Sequence, residues 1–170
     1  MNLNFYILRF RANAKVIENL ISDVEPEQAV WKSAPEKWSI IEAVYHLYQT
    51  ESGDFRPRLE KTLRNPQEDW SVLDSEIWNE QRINNRLNSA ETVGLFLDER
   101  AKSIEWLREI KDADWTNTHS TEKLTLSAGD LLASWLAHDF LHIKQVTRIE
   151  YDYVNFISAP HKTVYAGKWT

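Results

Sequence analysis

The chain reads as an all-α protein, a four-helix bundle with long connections, and three observations point there. Glycine and proline are scarce, four and five in 170 residues, a balance that favours long helices over short strands joined by many turns. Apolar residues recur at steps of three and four over four long stretches. Three of those stretches open on a reciprocal capping signal: Ser39 with Glu42, Asn88 with Glu91, and Ser127 with Asp130. The length suits one domain, residues 1–170, around one sizeable core.

The first helix is predicted from Leu3, Tyr6, Ile7, Phe10, Ala14, Ile17, Leu20 and Ile21, and stops near Ser22. The stretch "DVEPEQAVWKSAPEKW" carries Pro26 and Pro35 with no sustained period, which marks a connection. A second helix restarts sharply at Ile40 and runs to about Phe55, with Pro57 placed to kink its end. From Arg64 to Asn88 the chain is polar, with a short helix around Ser75 to Arg86. Val93, Leu97, Ala101, Ile104 and Leu107 carry the third long helix towards Lys111. "DADWTNTHSTEKLTLSAG" reads as a loop, and the fourth helix runs from Ser127 to about Glu150. Beyond it, "YVNFISAPHKTVYAGKWT" has aromatics but no helical period, so the tail is expected to be irregular and to drape over the bundle or a neighbouring subunit.

Composition narrows the function. The formal net charge is −6 with no long basic run, which removes the electrostatic footprint for nucleic acid or an anionic membrane surface. With no cysteine there are no disulfides, no thiolate ligands and no protein-borne thiol nucleophile. Any thiol chemistry has to use a small-molecule thiol. The stretch "MNLNFYILRFRANAK" lacks an uncharged run long enough for a signal core or a bilayer span, so the expected location is cytoplasmic.

Two of the five histidines lie in "SWLAHDFLHIKQ", four residues apart within a run that otherwise reads as a buried helix. Advancing about 100° per residue from Leu131, the residues Trp135, His138, His142, Gln145 and Ile149 all fall within about 40° of one line. Histidines at i and i+4 can present ring nitrogens to a common ion, although two hydrogen-bonded core histidines would show the same spacing. His46 is the natural third ligand. Its own face holds the small residues Ala43, Thr50 and Gly53, while Ile40, Val44, Leu47, Tyr48 and Phe55 lie on another side. Either it is a solvated residue or it lines a cleft with small walls, and helical phase slightly favours the first.

Other groups have competing readings. Glu42 could orient His46 from one turn away, yet the capping box accounts for it alone. Glu51 shares the apolar side of the second helix, as a partner for an arginine or a base near the site. The amide of Gln145 could bond the outer nitrogen of His142. Asp139 points about 100° away from the histidine stripe and reads as a helix-to-helix contact. Trp38, Trp106 and Trp135 read as core, and His119 and His161 have no helical geometry that makes them ligands.

The segments "EKWSIIEAVYHLYQTE" and "LLASWLAHDFLHIKQVTRI", about ninety residues apart, resemble the DinB-like family of metal-binding four-helix bundles over most of the chain. The matching elements are the Trp38-Ser39 start, the His46-Leu47 pair with Glu51 after it, and the series His138-Asp139, His142, Gln145. The resemblance implies that His46, His138 and His142 surround a divalent metal, zinc or nickel, with a coordination position left open. It implies a small-molecule substrate and one of two chemistries: S-transfer from a low-molecular-weight thiol, or hydrolysis. A non-catalytic, stress-related bundle that binds a metal or ligand is the alternative. The tail and the family both allow a homodimer, which nothing in the helix pattern requires.

Overall fold

The computed structural model describes residues 1–70, 73–83, 86 and 88–169. Seven α-helices are present among them: α1 (Leu3–Ile21), α2 (Pro26–Val30), α3 (Ile40–Thr50), α4 (Arg56–Arg64), α5 (Ser75–Ile83), α6 (Ser89–Glu109) and α7 (Ala128–Ile157). A π-helical turn, Glu51–Phe55, joins α3 to α4, and the backbone stays right-handed helical at both junctions. The bundle consists of α1, the α3–α4 rod, α6 and α7. Helices α1 and α3 each pack on both α6 and α7 and so lie diagonally across the bundle.

Local chemistry sets the helix starts. The side chain of Asn2 accepts from the Phe5 amide ahead of α1. Ser39, Asn88 and Ser127 each form both bonds of a capping box ahead of α3, α6 and α7. Asp74 Oδ1 accepts from the amides of Glu76 and Ile77 and so opens α5 near the expected Ser75. Of the residues expected to close that short helix, 84 and 85 lie outside the described residues.

Three expectations need correction. The second helix does not end at Phe55 but continues to Arg64. The π turn shifts the hydrogen-bond register by one residue just ahead of Pro57, which then occupies a first helical turn where a missing N–H does little harm. Secondly, the stretch read as a loop contains an antiparallel pair, β1 (Thr118–Ser120) with β2 (Thr125–Ser127), in which Thr118 faces Ser127 and Ser120 faces Thr125. Strands of three residues are too short to show an alternation. Thirdly, α7 extends past Glu150 to Ile157. Its last turns use aromatics against other partners than the bundle core: Tyr153 and Phe156 each lie 5.4 Å from Trp31, and Tyr151 lies 5.3 Å from Trp169. The tail beyond has only a short 3-10 turn, Val164–Ala166. None of the described helices is long and apolar enough to cross a membrane.

Two apolar clusters fill the bundle. One gathers Phe10, Leu59, Leu107, Leu132 and Trp135, and the other Ile17, Ile21, Ile40, Leu47, Phe96 and Val146. A polar layer separates them, with Arg100 at its centre and only 1% exposed. Its guanidinium donates to Glu51 through Nε and Nη2 at 2.8 and 2.9 Å, and to Asp139 through Nη1 and Nη2 at 2.7 Å each. Asn13 Nδ2 donates to Asp139 Oδ2 at 3.1 Å and Trp135 Nε1 to Glu51 Oε2 at 2.9 Å, so α1, α6, α7 and the π turn all enter the layer. Burial alone would lower the Arg100 pKa, but the two carboxylates outweigh it and raise the group above its ordinary range.

Removing one member of such a layer leaves buried charge unpaired. Arg100→Leu is expected to destabilise the fold by about 3–5 kcal/mol in chemical denaturation. Arg108→Ala, which removes an exposed pair with Glu105, should stay within about 0.5 kcal/mol of the parent.

Candidate metal centre

The capping box fixes where α3 begins and therefore where Trp38, the residue just before the cap, must lie. Ser39 Oγ accepts from the Glu42 amide at 3.3 Å, and the Ser39 amide donates to Glu42 Oε2 at 2.8 Å. Trp38 is held edge-on to His46, with ring centroids 5.0 Å apart. It also stands nearly parallel to His142, at 6.1 Å and 19°.

His46 faces α7. Its small neighbours Ala43 and Thr50 are buried, because α3 packs on α6 and α7 together and its buried arc is wider than one stripe. The ring centroid of His46 lies 5.5 Å from that of His138 and 4.9 Å from that of His142, and the α7 pair is 4.4 Å apart. One ring nitrogen from each of the three lies within 4.8 Å of the others, an arrangement that could hold a metal ion. It is the sole such group of histidines and carboxylates among the described residues. All three side chains are half-buried, so they are sheltered but reachable.

Hydrogen bonding selects the tautomer of one ring. Gln145 Oε1 lies 2.7 Å from His142 Nδ1, and an amide oxygen accepts, so Nδ1 carries the hydrogen. In the neutral ring Nε2 is then a bare lone pair, and it lies 3.1 Å from His138 Nε2. Burial above all keeps these rings neutral. It takes His46 down to about 3, helped by the two other histidines and Arg82, and His138 down to about 3, helped by His142 and Arg100. His142 is also lowered by burial, against the opposing pull of Gln145 and Asp139.

The carboxylates singled out in the sequence are engaged elsewhere. Besides its cap, Glu42 takes Lys32 Nζ at 2.7 Å and Arg82 Nη1 at 3.4 Å through Oε1. Glu51 and Asp139 hold Arg100. His119 is buried in β1, stacked on Trp70 at 4.4 Å with its Nδ1 3.0 Å from the Pro66 carbonyl, and His161 lies in the tail; neither joins the triad.

Sequence reasoning missed three neighbours of the site. Trp38, read as core, lines it. The Arg82 guanidinium lies 4.0 Å over the Trp38 ring, and Phe55 in the π turn lies 5.1 Å from His138. Trp38 was findable from its place directly ahead of a cap. Arg82 sits in a polar stretch with no pattern, and nothing local marks it.

Comparison with known proteins agrees with this architecture. The family model of the DinB superfamily matches residues 9–146. The chain belongs to the DinB superfamily. Among solved structures it is similar to YfiT from Bacillus subtilis, described as a probable metal-dependent hydrolase with an unusual four-helix bundle topology. That match has a TM-score of 0.76 and 14% identity, over 89% of this chain and 87% of that one. It is also similar to the mycothiol-dependent maleylpyruvate isomerase, with a TM-score of 0.69 and 16% identity over 86% of this chain. This DinB-superfamily chain spans 61% of the isomerase's length. At these identities the likeness is one of fold. No curated protein matches the chain.

The low pKa values of the triad have a consequence for stability without metal. Between about 3 and 6.5 the unfolded chain binds protons at His46 and His138 that the folded chain does not, so stability falls as pH drops through that window. Melting curves in chelator are expected to show this fall, and His138→Ala is expected to flatten it.

Proposed function

We propose that His46, His138 and His142 hold one divalent ion, zinc or nickel, and that the protein is a metal-dependent enzyme acting on a small molecule. The convergence of three neutral imidazole nitrogens within 4.8 Å carries this reading. The donor set suits it. A tetrahedral zinc ion with bonds of about 2.0–2.1 Å spaces its ligand atoms about 3.3–3.4 Å apart, close to the 3.1 Å between the two Nε2 atoms on α7. Imidazoles favour zinc, nickel or iron over magnesium or calcium, which prefer oxygen. When bound, such an ion supplies a Lewis acid with a position left open for a thiol sulfur or a water.

The chain's own residues favour the thiol. Gln145 orients His142 by accepting from Nδ1, while Trp38 and Phe55 flank the imidazoles. Hydrolysis commonly uses a side chain that takes a proton from water. Glu51 and Asp139 are tied to Arg100, and Glu42 is tied to its cap, Lys32 and Arg82. A thiol, whose ordinary pKa is about 8.5, gives up its proton far more readily and has less need of a base. With no cysteine in the chain, the thiol comes from solution. The reading is therefore S-transfer from a low-molecular-weight thiol to an electrophile, with hydrolysis as the second chemistry the same open position allows.

Elemental analysis of protein purified without added metal is expected to find a stoichiometric divalent ion in the parent and little in His46→Ala, His138→Ala or His142→Ala. Gln145→Leu should bind about 10–100-fold more weakly. Transfer of a small thiol to monobromobimane should be lost with the metal. Metal content unchanged in the histidine variants would sink the proposal; metal bound tightly with neither transfer nor hydrolysis would leave a non-catalytic binding protein.

A further inference from the structure

A cavity of about 330 Å³ lies between the segment leading into α3 and the middle of α7, lined by Ser33, Lys37, Trp38, Gln145, Arg148 and Asp152 among others. Its size falls within the range of small-ligand sites. Gln145 is hydrogen-bonded to His142 and Trp38 stands parallel to it at 6.1 Å, so two of the lining residues are neighbours of the triad. His142 meets Gln145 on its Nδ1 side and His138 on its Nε2 side, so Gln145 connects the cavity lining to the triad.

The lining has a definite charge. Arg148 donates through Nε to Asp152 Oδ2 at 2.9 Å, and among the described residues its two terminal nitrogens donate to no acceptor. Lys37 Nζ is likewise without an acceptor among them. Two cations and one carboxylate therefore line a small opening, in a chain whose overall charge is negative; the Arg148 guanidinium also lies 5.6 Å from the Tyr151 ring and 5.7 Å from the Trp169 ring. The terminal nitrogens of a guanidinium form a planar fork that matches a carboxylate, and an ammonium adds a second charged donor. Ser33 contributes a hydroxyl and Trp38 an aromatic wall.

We propose that this cavity is an anion subsite, and that it binds a carboxylate on the small molecule whose reacting end reaches the triad. The second half of that statement rests on the metal-enzyme reading above; the first half does not. Lys37 and Arg148 hold the carboxylate, and the substrate or cosubstrate class is thus a compact acid rather than a neutral molecule.

Calorimetric titration of the metal-free protein with succinate tests the subsite alone. Saturable binding is expected, with a shift of the Trp38 indole N–H resonance. The Lys37→Ala/Arg148→Ala double variant should bind about tenfold or more weakly while staying folded by circular dichroism, since both side chains lie near the surface. The link to the triad is tested on cobalt-loaded protein through the sulfur-to-metal absorption band. Mercaptosuccinate is expected to bind about tenfold more tightly than mercaptoethanol in the parent and with no preference in the double variant. Absence of succinate binding, or binding that survives in the double variant, overturns the subsite. Succinate binding with no sulfur-to-metal band for either thiol keeps the subsite and discards the thiol reading of the metal centre.

Discussion

Everything in the bundle is arranged around one buried cation. At 1% exposure Arg100 has no water to solvate it, and a guanidinium so placed is tolerated only with its donors matched. Both carboxylates that match it come from the helices that carry the histidines: Glu51 stands one turn and a half beyond His46, and Asp139 directly follows His138. The guanidinium is a rigid fork, so the Glu51–Arg100–Asp139 bridge sets both the axial register and the rotation of the α3 rod against α7. The separation of His46 from the α7 pair follows from that register. One guanidinium against two carboxylates also leaves the layer formally anionic, and a divalent cation held by the histidines, as proposed, would gain from it.

The π turn completes this geometry. An extra residue in a helix rotates all that follows by about 100°, and here it comes between Glu51, which faces Arg100, and Leu59, which faces the apolar cluster with Trp135. The turn brings Phe55 parallel to Trp135 at 6.0 Å and against His138 at 5.1 Å. It also presents Gly53 to α5. A Cβ there would stand 2.8 Å from Trp78 Cζ2, so the close approach of α5 needs a residue without a side chain.

How much of this could be read in the sequence depends on the range of the interaction. The caps at Ser39, Asn88 and Ser127 bond three residues on, and their signatures are legible. The i, i+4 pair of His138 and His142 is legible for the same reason, as is Gln145 one turn further along. His46 is different: its inward orientation depends on α3 touching two neighbours, which helical phase on one chain segment does not contain. Glu51 reads from the sequence as a partner for an arginine, but Arg100 lies 49 residues away and nothing local to either residue names the pair. The continuation past Pro57 was hidden because a π turn leaves no periodic trace, and the last turns of α7 because their aromatics answer to Trp31 and Trp169.

The candidate centre has a stiff side and a soft side. The histidines stand on α3 and α7, which the Arg100 layer ties together. Trp38 and Arg82 form the other side. Arg82 reaches its partners at 3.4 Å, for both Glu42 and Asn79, whereas Lys32 holds the same Glu42 oxygen at 2.7 Å. Hydrogen bonds of that length are weaker than short ones, and α5 is also held over the site by Arg82 stacking on Trp38 and by Gln49 donating to the Trp78 carbonyl and the Gln81 side chain. A ligand that displaces Arg82 from Glu42 separates one pair whose side chains are 8% and 7% exposed, while one that moves a histidine must work against the four charge-assisted bonds of the Arg100 layer. On the proposed reading, the histidine side would set which ion fits and the Trp38–Arg82 side which small molecule does.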